Sequence, residues 1–160
     1  MRIHLIAVGQ KMPRWVQDGY DDYARRLPAH CALNLIEIAA EHRGNKAPSA
    51  GDVRRILDAE GARQIAALPA GCEVVTLDVG GRALPTEQLA GRMERWLGGG
   101  RDVALLVGGP EGLAAACRER ADWAWSLSPL TLPHPLVRVI LAEQLYRASS
   151  ILSGHPYHRA

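Results

Sequence analysis

Five short apolar segments, each followed by a segment with helical periodicity, constrain the fold of this chain more than any other feature. The apolar segments are residues 3–8, 32–39, 72–78, 102–107 and 123–127. The fourth, DVALLV, has five consecutive apolar residues after one acid, which is typical of a strand covered on both faces. Because strands that alternate with helices pair in parallel, we predict an α/β domain with a mostly parallel sheet of five or six strands.

Apolar residues at helical spacing predict the helices that connect these strands. They cover residues 13–27, 52–68, 86–97, a short stretch to about Arg120, and a long final helix over residues 135–152. We expect Gly80 and Gly81 to form a turn that closes the third strand, and the polar segment 41–51 to be a loop. The apolar stripe of the final helix is broad for a surface helix, which favours a homodimer built on it. Burial of the stripe within its own domain is the alternative.

Length and charge limit the classes of protein to which the chain can belong. With 160 residues, a single domain over residues 1–160 is expected. The net charge is only +2, so any basic binding site must be local. Cys31, Cys72 and Cys117 form no CxxC motif. The apolar stretch at the amino end is too short for a signal peptide or a membrane span. We therefore expect reduced thiols, no membrane association and a cytoplasmic location.

Glycines and hydroxyl residues follow several of the predicted strands, where ligands of parallel sheets bind. The first strand is followed by neither GxGxxG nor a P-loop, which argues against an ordinary nucleotide-binding fold. The fourth strand leads into Val107-Gly108-Gly109-Pro110-Glu111-Gly112, whose glycines let backbone amides approach a ligand closely. Leu77 ends the third strand, and the proline-rich segment 126–135 follows the fifth. Structural roles without any ligand explain these segments about as well as ligand binding does. The glycine-rich segment then forms only a tight turn, and the proline-rich segment forms only a long packed connection.

Histidines near the carboxyl end are the best candidates for proton transfer. His134 adjoins the predicted crevice, while His155 and His158 flank Tyr157 in the tail. His155 and His158 have no cysteine or carboxylate companion at ligand spacing, so we predict no metal site. The tail offers titratable imidazoles and a stacking ring, which suggests a role with a substrate rather than in the core. A solvated, frayed terminus is the alternative.

Long segments of the chain resemble one known family. The segments are LLVGGPEGL, WSLSPLTLPHPLVRVILAEQLYRA and the ending HPYHR, with IAVGQKMPRWVQDGYDDYARRLP and LNLIEIAAEHRG in the amino half. They resemble the ribosomal RNA large subunit methyltransferase H family of SPOUT-class enzymes, over nearly the whole chain. That family is described as the methyltransferase of N3 of pseudouridine 1915 in 23S rRNA. It is also described as a cytoplasmic homodimer that uses S-adenosyl-L-methionine.

The resemblance implies a trefoil-knotted α/β domain in which the carboxyl-terminal chain threads through a loop of the sheet. It also implies a cofactor pocket at the three segments that follow the strands, formed by Leu77, Gly108, Gly109, Leu127, Ser128, Pro129, Leu130, Thr131 and Leu132. The methyl group of the cofactor is already electrophilic, so the enzyme chiefly aligns it with the attacking nitrogen, and no metal is required.

The remaining chemistry is the removal of the proton from N3 of the base. His134, His155 and His158 are candidate proton acceptors. Arg138 or Arg147 is a candidate electrostatic partner, and Tyr157 is a candidate for stacking on a base. The resemblance implies a target in 23S rRNA. Because a net charge of +2 binds naked RNA poorly, we expect the target to be recognised within the ribosome. A non-catalytic ribosome-binding or assembly factor with this fold, and methylation of a different RNA, are the alternative functions.

Overall fold

The computed structural model describes residues 1–159 and contains one sheet of five parallel strands. The strands are β1 (Ile3–Val8), β2 (Leu33–Ile38), β3 (Glu73–Ala83), β4 (Val103–Val107) and β5 (Trp123–Ser126). Their spatial order is β2-β1-β4-β3-β5, and every pair of neighbours is parallel. The predicted α/β class, with a parallel five-stranded sheet, is confirmed.

Five helices cover the two faces of the sheet. They are α1 (Arg14–Ala24), α2 (Ala50–Ala66), α3 (Thr86–Gly99), α4 (Ala115–Arg120) and α5 (His134–Leu152). Helices α1, α3 and α5 pack in a core on one face, and α2 and α4 pack in a second core on the other. None of the helices within residues 1–159 is long and apolar enough to cross a membrane.

Strand sequences explain this three-layer arrangement, because successive side chains of a strand point to opposite faces. In β1, Ile3 and Leu5 belong to the core beneath α5, while Ile6 and Val8 belong to the core beneath α2. All five residues of β4 are buried. The continuous apolar run in the sequence therefore reflects a central strand that is covered on both sides.

The third strand differs from the prediction. Gly80 and Gly81 do not close β3 in a turn, because the strand continues through them to Ala83. The pairing with β5 shifts register between Leu77 and Arg82, so the glycines lie in an irregular, bulged part of the strand. A Cβ atom at Gly81 would lie 2.7 Å from the backbone of Ala124. Gly81 therefore serves close contact between two strands.

The apolar stripe of α5 is mostly used within its own domain. Val137, Leu141, Leu145 and Ala148 are buried in the core that α5 shares with α1 and α3. Burial within the monomer, which was the alternative, therefore explains the breadth of the stripe. The stripe is no longer an argument for a dimer. The homodimer itself stays a prediction from the family resemblance.

The connection from β5 to α5 crosses the carboxyl ends of the sheet. It starts at the edge strand and reaches the end of β1, where the buried guanidinium of Arg138 meets the chain. Arg138 donates through Nη2 to the carbonyl oxygen of Gly9 at 2.7 Å and through Nη1 to Glu37 Oε2 at 2.7 Å. The resemblance assigns the knot to this part of the chain. The crossing brings His134 next to β1 and β4.

Two helical glycines test how closely α2 approaches α4. A Cβ atom at Gly61 in α2 would lie 2.4 Å from Cβ of Ala114, whereas one at Gly91 in α3 would meet nothing within 4 Å. We expect Gly61→Ala to lower the free energy of unfolding by about 1–3 kcal/mol, because it overpacks the contact between α2 and α4. Gly91→Ala should raise it by about 0.5–1 kcal/mol through helix propensity alone. Urea denaturation of both variants measures the difference, and equal effects would contradict the close approach of α2 to α4.

Candidate functional site

A cavity of about 650 Å³ opens at the carboxyl ends of β3, β4 and β5. Its walls are the three predicted segments that follow these strands. The predicted residues that line it are Leu77, Gly108, Gly109, Leu127, Ser128, Leu130, Thr131 and Leu132. Pro129 belongs to the same loop but is not among the lining residues. The volume is in the range of small-molecule sites, and the position is the one where parallel sheets bind ligands.

Close backbone packing shapes the glycine-rich wall of the cavity. Gly112 donates its amide to the carbonyl oxygen of Gly109 at 2.9 Å, and Gly112 has a φ of +91°. A Cβ atom at Gly108 would lie 2.2 Å from the carbonyl oxygen of Gly112. Gly108 is therefore required by the turn itself, independently of any ligand. The turn then exposes main chain at the cavity wall.

The opposite wall, the loop over residues 127–132, is ordered by its own hydroxyl groups. Ser126 Oγ donates to the carbonyl oxygen of Ser128 at 3.1 Å, and Ser128 Oγ accepts the amide of Leu130 at 3.0 Å. Leucine side chains and main chain form most of the surface that this loop presents. Leu130 is 72% exposed, which is unusual for a large apolar side chain and makes it available to a ligand.

Asp78 and Arg118 add a polar rim to the cavity. Arg118 Nε donates to Asp78 Oδ2 at 2.9 Å, and Arg118 Nη1 donates to the carbonyl oxygen of Leu113 at 2.7 Å. Hydrogen bonds from Arg118 and from the amide of Gly80 hold the pKa of Asp78 below its usual range. The rim thus keeps a carboxylate ionised at the mouth of an otherwise apolar cavity. Arg118 had no signal in the sequence, since it lies on α4 among other charged residues.

His134 lines the cavity at the first residue of α5. Burial lowers its pKa, and the positive charges of Arg138 and Arg43 lower it further. The imidazole is therefore neutral near pH 7 and can accept a proton. Arg138 is not among the lining residues, and its guanidinium holds α5 to β1 and β2. A direct electrostatic role for Arg138 in catalysis stays a prediction.

A buried carboxylate lies behind the glycine-rich wall. Glu60 is only 2% exposed, and its Oε1 accepts the amide of Glu41 at 2.9 Å and Nη2 of Arg43 at 3.2 Å. A Cβ atom at Gly109 would lie 3.3 Å from Glu60 Oε2 and 3.2 Å from Arg43 Nη2. The loop before α2 is thereby tied to the cavity wall. The sequence predicted this segment only as a flexible loop, because a single glutamate on a helix gives no sign of burial.

The carboxyl-terminal tail packs against α5. The ring of Tyr157 lies 4.7 Å from that of Tyr146, and its hydroxyl donates to Glu143 Oε1 at 3.0 Å. Nε2 of His158 is 3.4 Å from Glu87 Oε1 on α3, while His155 is exposed. Burial, followed by hydrogen bonds with Tyr23 and Glu143, raises the pKa of Tyr157, which stays protonated. Tyr157 and His158 are therefore docked rather than frayed, whereas His155, Pro156 and Arg159 are exposed.

The tail and the cavity are separate in one chain. Glu143, which binds Tyr157, follows His134 by nine residues, so about 13 Å of helix separates them. The structure thus brings His134 to the predicted cavity but not His155, Tyr157 or His158. The proposed roles of these tail residues stay predictions. Within residues 1–159, no group of three or more potential metal ligands is present.

The chain is similar to known methyltransferases in both sequence and fold. A family model described as "Predicted SPOUT methyltransferase" matches residues 1–158. A protein from Thioalkalivibrio sulfidiphilus named Ribosomal RNA large subunit methyltransferase H is 62% identical over 99% of both chains. A protein of the same name from Methylococcus capsulatus is 56% identical over 99% of this chain and 100% of its own. A solved structure, a probable methyltransferase from Bordetella pertussis, shares the fold with a TM-score of 0.53 at 17% identity, covering 91% of this chain and 95% of its own.

The docked tail leads to a stability prediction. We expect Tyr157→Ala to lower the free energy of unfolding by about 1–2 kcal/mol, because it removes a half-buried ring and its hydrogen bond to Glu143. His155→Ala should cost less, because His155 is exposed and contributes only a ring contact with Tyr146 and a hydrogen bond that its Nδ1 accepts from the amide of Tyr157. Thermal and urea denaturation measure both values. A Tyr157→Ala variant as stable as the His155→Ala control would mean that the tail does not pack on α5.

Proposed function

The chain belongs to the SPOUT methyltransferase family, and we propose that it methylates N3 of pseudouridine 1915 in 23S rRNA, using S-adenosyl-L-methionine, on the assembled ribosome. The observation that carries the proposal is the identity of 62% to a protein named Ribosomal RNA large subunit methyltransferase H over 99% of both chains. The nucleotide and the atom come from the resemblance described above. We further propose that the enzyme acts as a homodimer in the cytoplasm.

The cavity residues fit an adenosyl cofactor by their chemistry. Leu77, Leu127 and Leu132 offer apolar walls for a flat heterocycle, and the turn at Gly108 and Gly109 offers main chain. The rim carboxylate of Asp78 is an acceptor for hydroxyl or amino groups. When bound there, the cofactor supplies an electrophilic methyl group and needs no metal.

Residues of this chain must orient the target base and remove its N3 proton. An imide nitrogen is protonated at neutral pH, so attack requires a base or a stabilised anion. His134 lines the cavity and its lowered pKa keeps it neutral, which favours it as the proton acceptor over His155 and His158, which do not line the cavity of their own chain. Arg43, beside Gly109, and Arg138, beside Gly9, are paired with Glu60 and Glu37, yet both lower the pKa of His134, so a net positive potential remains at its imidazole. Such charge favours the deprotonated base.

Methyl transfer to different RNAs tests the proposed activity. We expect the protein to transfer a radiolabelled methyl group to ribosomes that lack this modification, and to transfer far less to free ribosomal RNA or transfer RNA. Mass spectrometry of the labelled nucleotide then identifies the methylated atom. Ribosome binding without any transfer would support the assembly-factor alternative instead. Preferential transfer to transfer RNA would replace the proposed substrate.

The pH dependence of the rate tests His134. Because its pKa is lowered, His134 is neutral at pH 7 and becomes protonated, and so unable to accept a proton, only at a lower pH than an ordinary histidine. The rate at saturating ribosomes should therefore fall on the acid side, with a midpoint below the ordinary pKa of histidine. His134→Asn should lower the rate by about 100-fold or more and remove that acid limb. His155→Asn is the matched control. A His134→Asn variant with an unchanged rate and profile would assign the proton to water.

A further inference from the structure

A second, smaller cleft of about 300 Å³ lies beside the cofactor cavity, between α3 and the edge of the sheet at β5. Its lining residues include three arginines and no carboxylate: Arg82, Leu84, Gln88, Gly91, Arg92, Arg95 and Trp123. Arg82 comes from the extended end of β3, while Arg92 and Arg95 lie one turn apart on α3.

One wall of this arginine cleft is fixed by a carboxylate behind it. Oε1 of Glu73 accepts the indole N–H groups of Trp96 at 3.0 Å and Trp123 at 2.9 Å. The guanidinium of Arg92 lies 3.5 Å from the same oxygen and stacks 4.4 Å from the centre of the Trp123 ring. Arg92 and Trp123 therefore form a preorganised wall, and the charge of Arg92 is balanced by Glu73.

Arg82 and Arg95, by contrast, have no carboxylate within 4.0 Å among residues 1–159. Most other arginines of the described chain are paired, as in Arg54 with Asp58 and Arg120 with Asp122. With a net charge of only +2, two unbalanced guanidinium groups in one concave site are a concentration of positive charge. Such a site suits a phosphate group, because guanidinium groups bind phosphate oxygens in pairs.

The position of the cleft relates it to the cofactor cavity. Trp123 lines the cleft and Trp125, two residues later on β5, lines the cavity, with their ring centres 6.4 Å apart. Gly81 lets β3 lie directly against β5, which places Arg82 at the cleft. The cleft and the cavity are therefore adjacent along β5.

We propose that the arginine cleft binds a backbone phosphate of the RNA substrate, in the strand that flanks the methylated nucleotide. The proposal rests on the proposed RNA methyltransferase activity and names a second contact with the same substrate. Because the contact is to a phosphate, it positions the RNA without reading its sequence. Arg82 and Arg95 are thus substrate-binding residues that take no part in the transfer of the methyl group.

The test compares two double variants. The cleft variant carries Arg82→Ala and Arg95→Ala, and the matched control carries Arg54→Ala and Arg120→Ala. Both remove two positive charges, but the control residues lie on α2 and α4, on the other face of the sheet. We expect the cleft variant to raise KM for ribosomes about tenfold with kcat within about twofold of the wild type. The dependence of log KM on log salt concentration should become less steep by about 0.7 for each lost phosphate contact. The control should match the wild type.

Further measurements separate the possible outcomes. Arg82→Lys with Arg95→Lys should recover part of the salt dependence, because the charge is kept while the paired geometry is lost. Calorimetric affinity for S-adenosyl-L-methionine should be the same in all variants. Unchanged KM and salt dependence in the cleft variant would overturn the cleft proposal. If the wild type methylates ribosomes in the same assay, the proposed function is upheld independently. A wild type that binds ribosomes through the cleft without methylating them would uphold the cleft and overturn the function.

Light scattering addresses the remaining occupant of the cleft, a second copy of the chain. The wild type and both variants should have the same mass, twice 17.4 kDa for the proposed homodimer. A lower mass for the cleft variant alone would show that the arginines face a second copy, which would overturn the phosphate proposal.

Discussion

The buried guanidinium of Arg138 is the interaction on which the arrangement of the site depends. It joins the first turns of α5 to the ends of two strands, through the carbonyl oxygen of Gly9 and the carboxylate of Glu37. The loop over residues 127–132 is thus held at one end by β5 and at the other by Arg138. Arg138 is buried whereas Glu37 is 37% exposed, so solvent screens this ion pair, and the hydrogen bond to the carbonyl oxygen of Gly9 is the part of the contact that is buried. The cavity wall can therefore keep its shape without a ligand.

The same cation has opposing effects on the proposed chemistry. Arg138 and Arg43 lower the pKa of His134, which keeps the imidazole free to accept a proton but makes it a weaker base. Positive charge at this position also stabilises a nitrogen anion on the target base, which lowers the affinity of that nitrogen for its proton. One effect weakens the imidazole as proton acceptor, and the other makes the nitrogen of the target base a better proton donor. A weak, neutral imidazole is sufficient where the charge of the product is stabilised in this way.

Local sequence patterns predicted most of the fold, since each strand and helix has its own periodicity. The predictions were wrong where packing between distant segments decides the structure. At Gly80 and Gly81 a closing turn was expected from the dipeptide, but the two glycines form a bulge within β3, where Gly81 lies close to the backbone of Ala124. The stripe on α5 could not reveal its partner, because burial against α1 and α3 produces the same pattern as burial in a dimer. The knot came only from the family resemblance, since a crossing of the chain leaves no periodicity.

The cavity was predictable from the sequence for a different reason from most active sites. Apart from Asp78, Arg118 and His134, its walls are mostly apolar side chains and glycine-rich main chain, so no reactive motif marks it, and only the order of strands and turns locates it. Residues that act through a partner distant in sequence were missed. Arg118 meets Asp78 across 40 residues, and Glu60 meets Arg43 across 17. The arginine cleft is of the same kind, because Arg82 and Arg95 are ordinary surface residues until the extended β3 brings them to one site. Charge that is spread evenly along this sequence thus becomes local only through the fold, which is how a chain with a net charge of +2 can present a phosphate site.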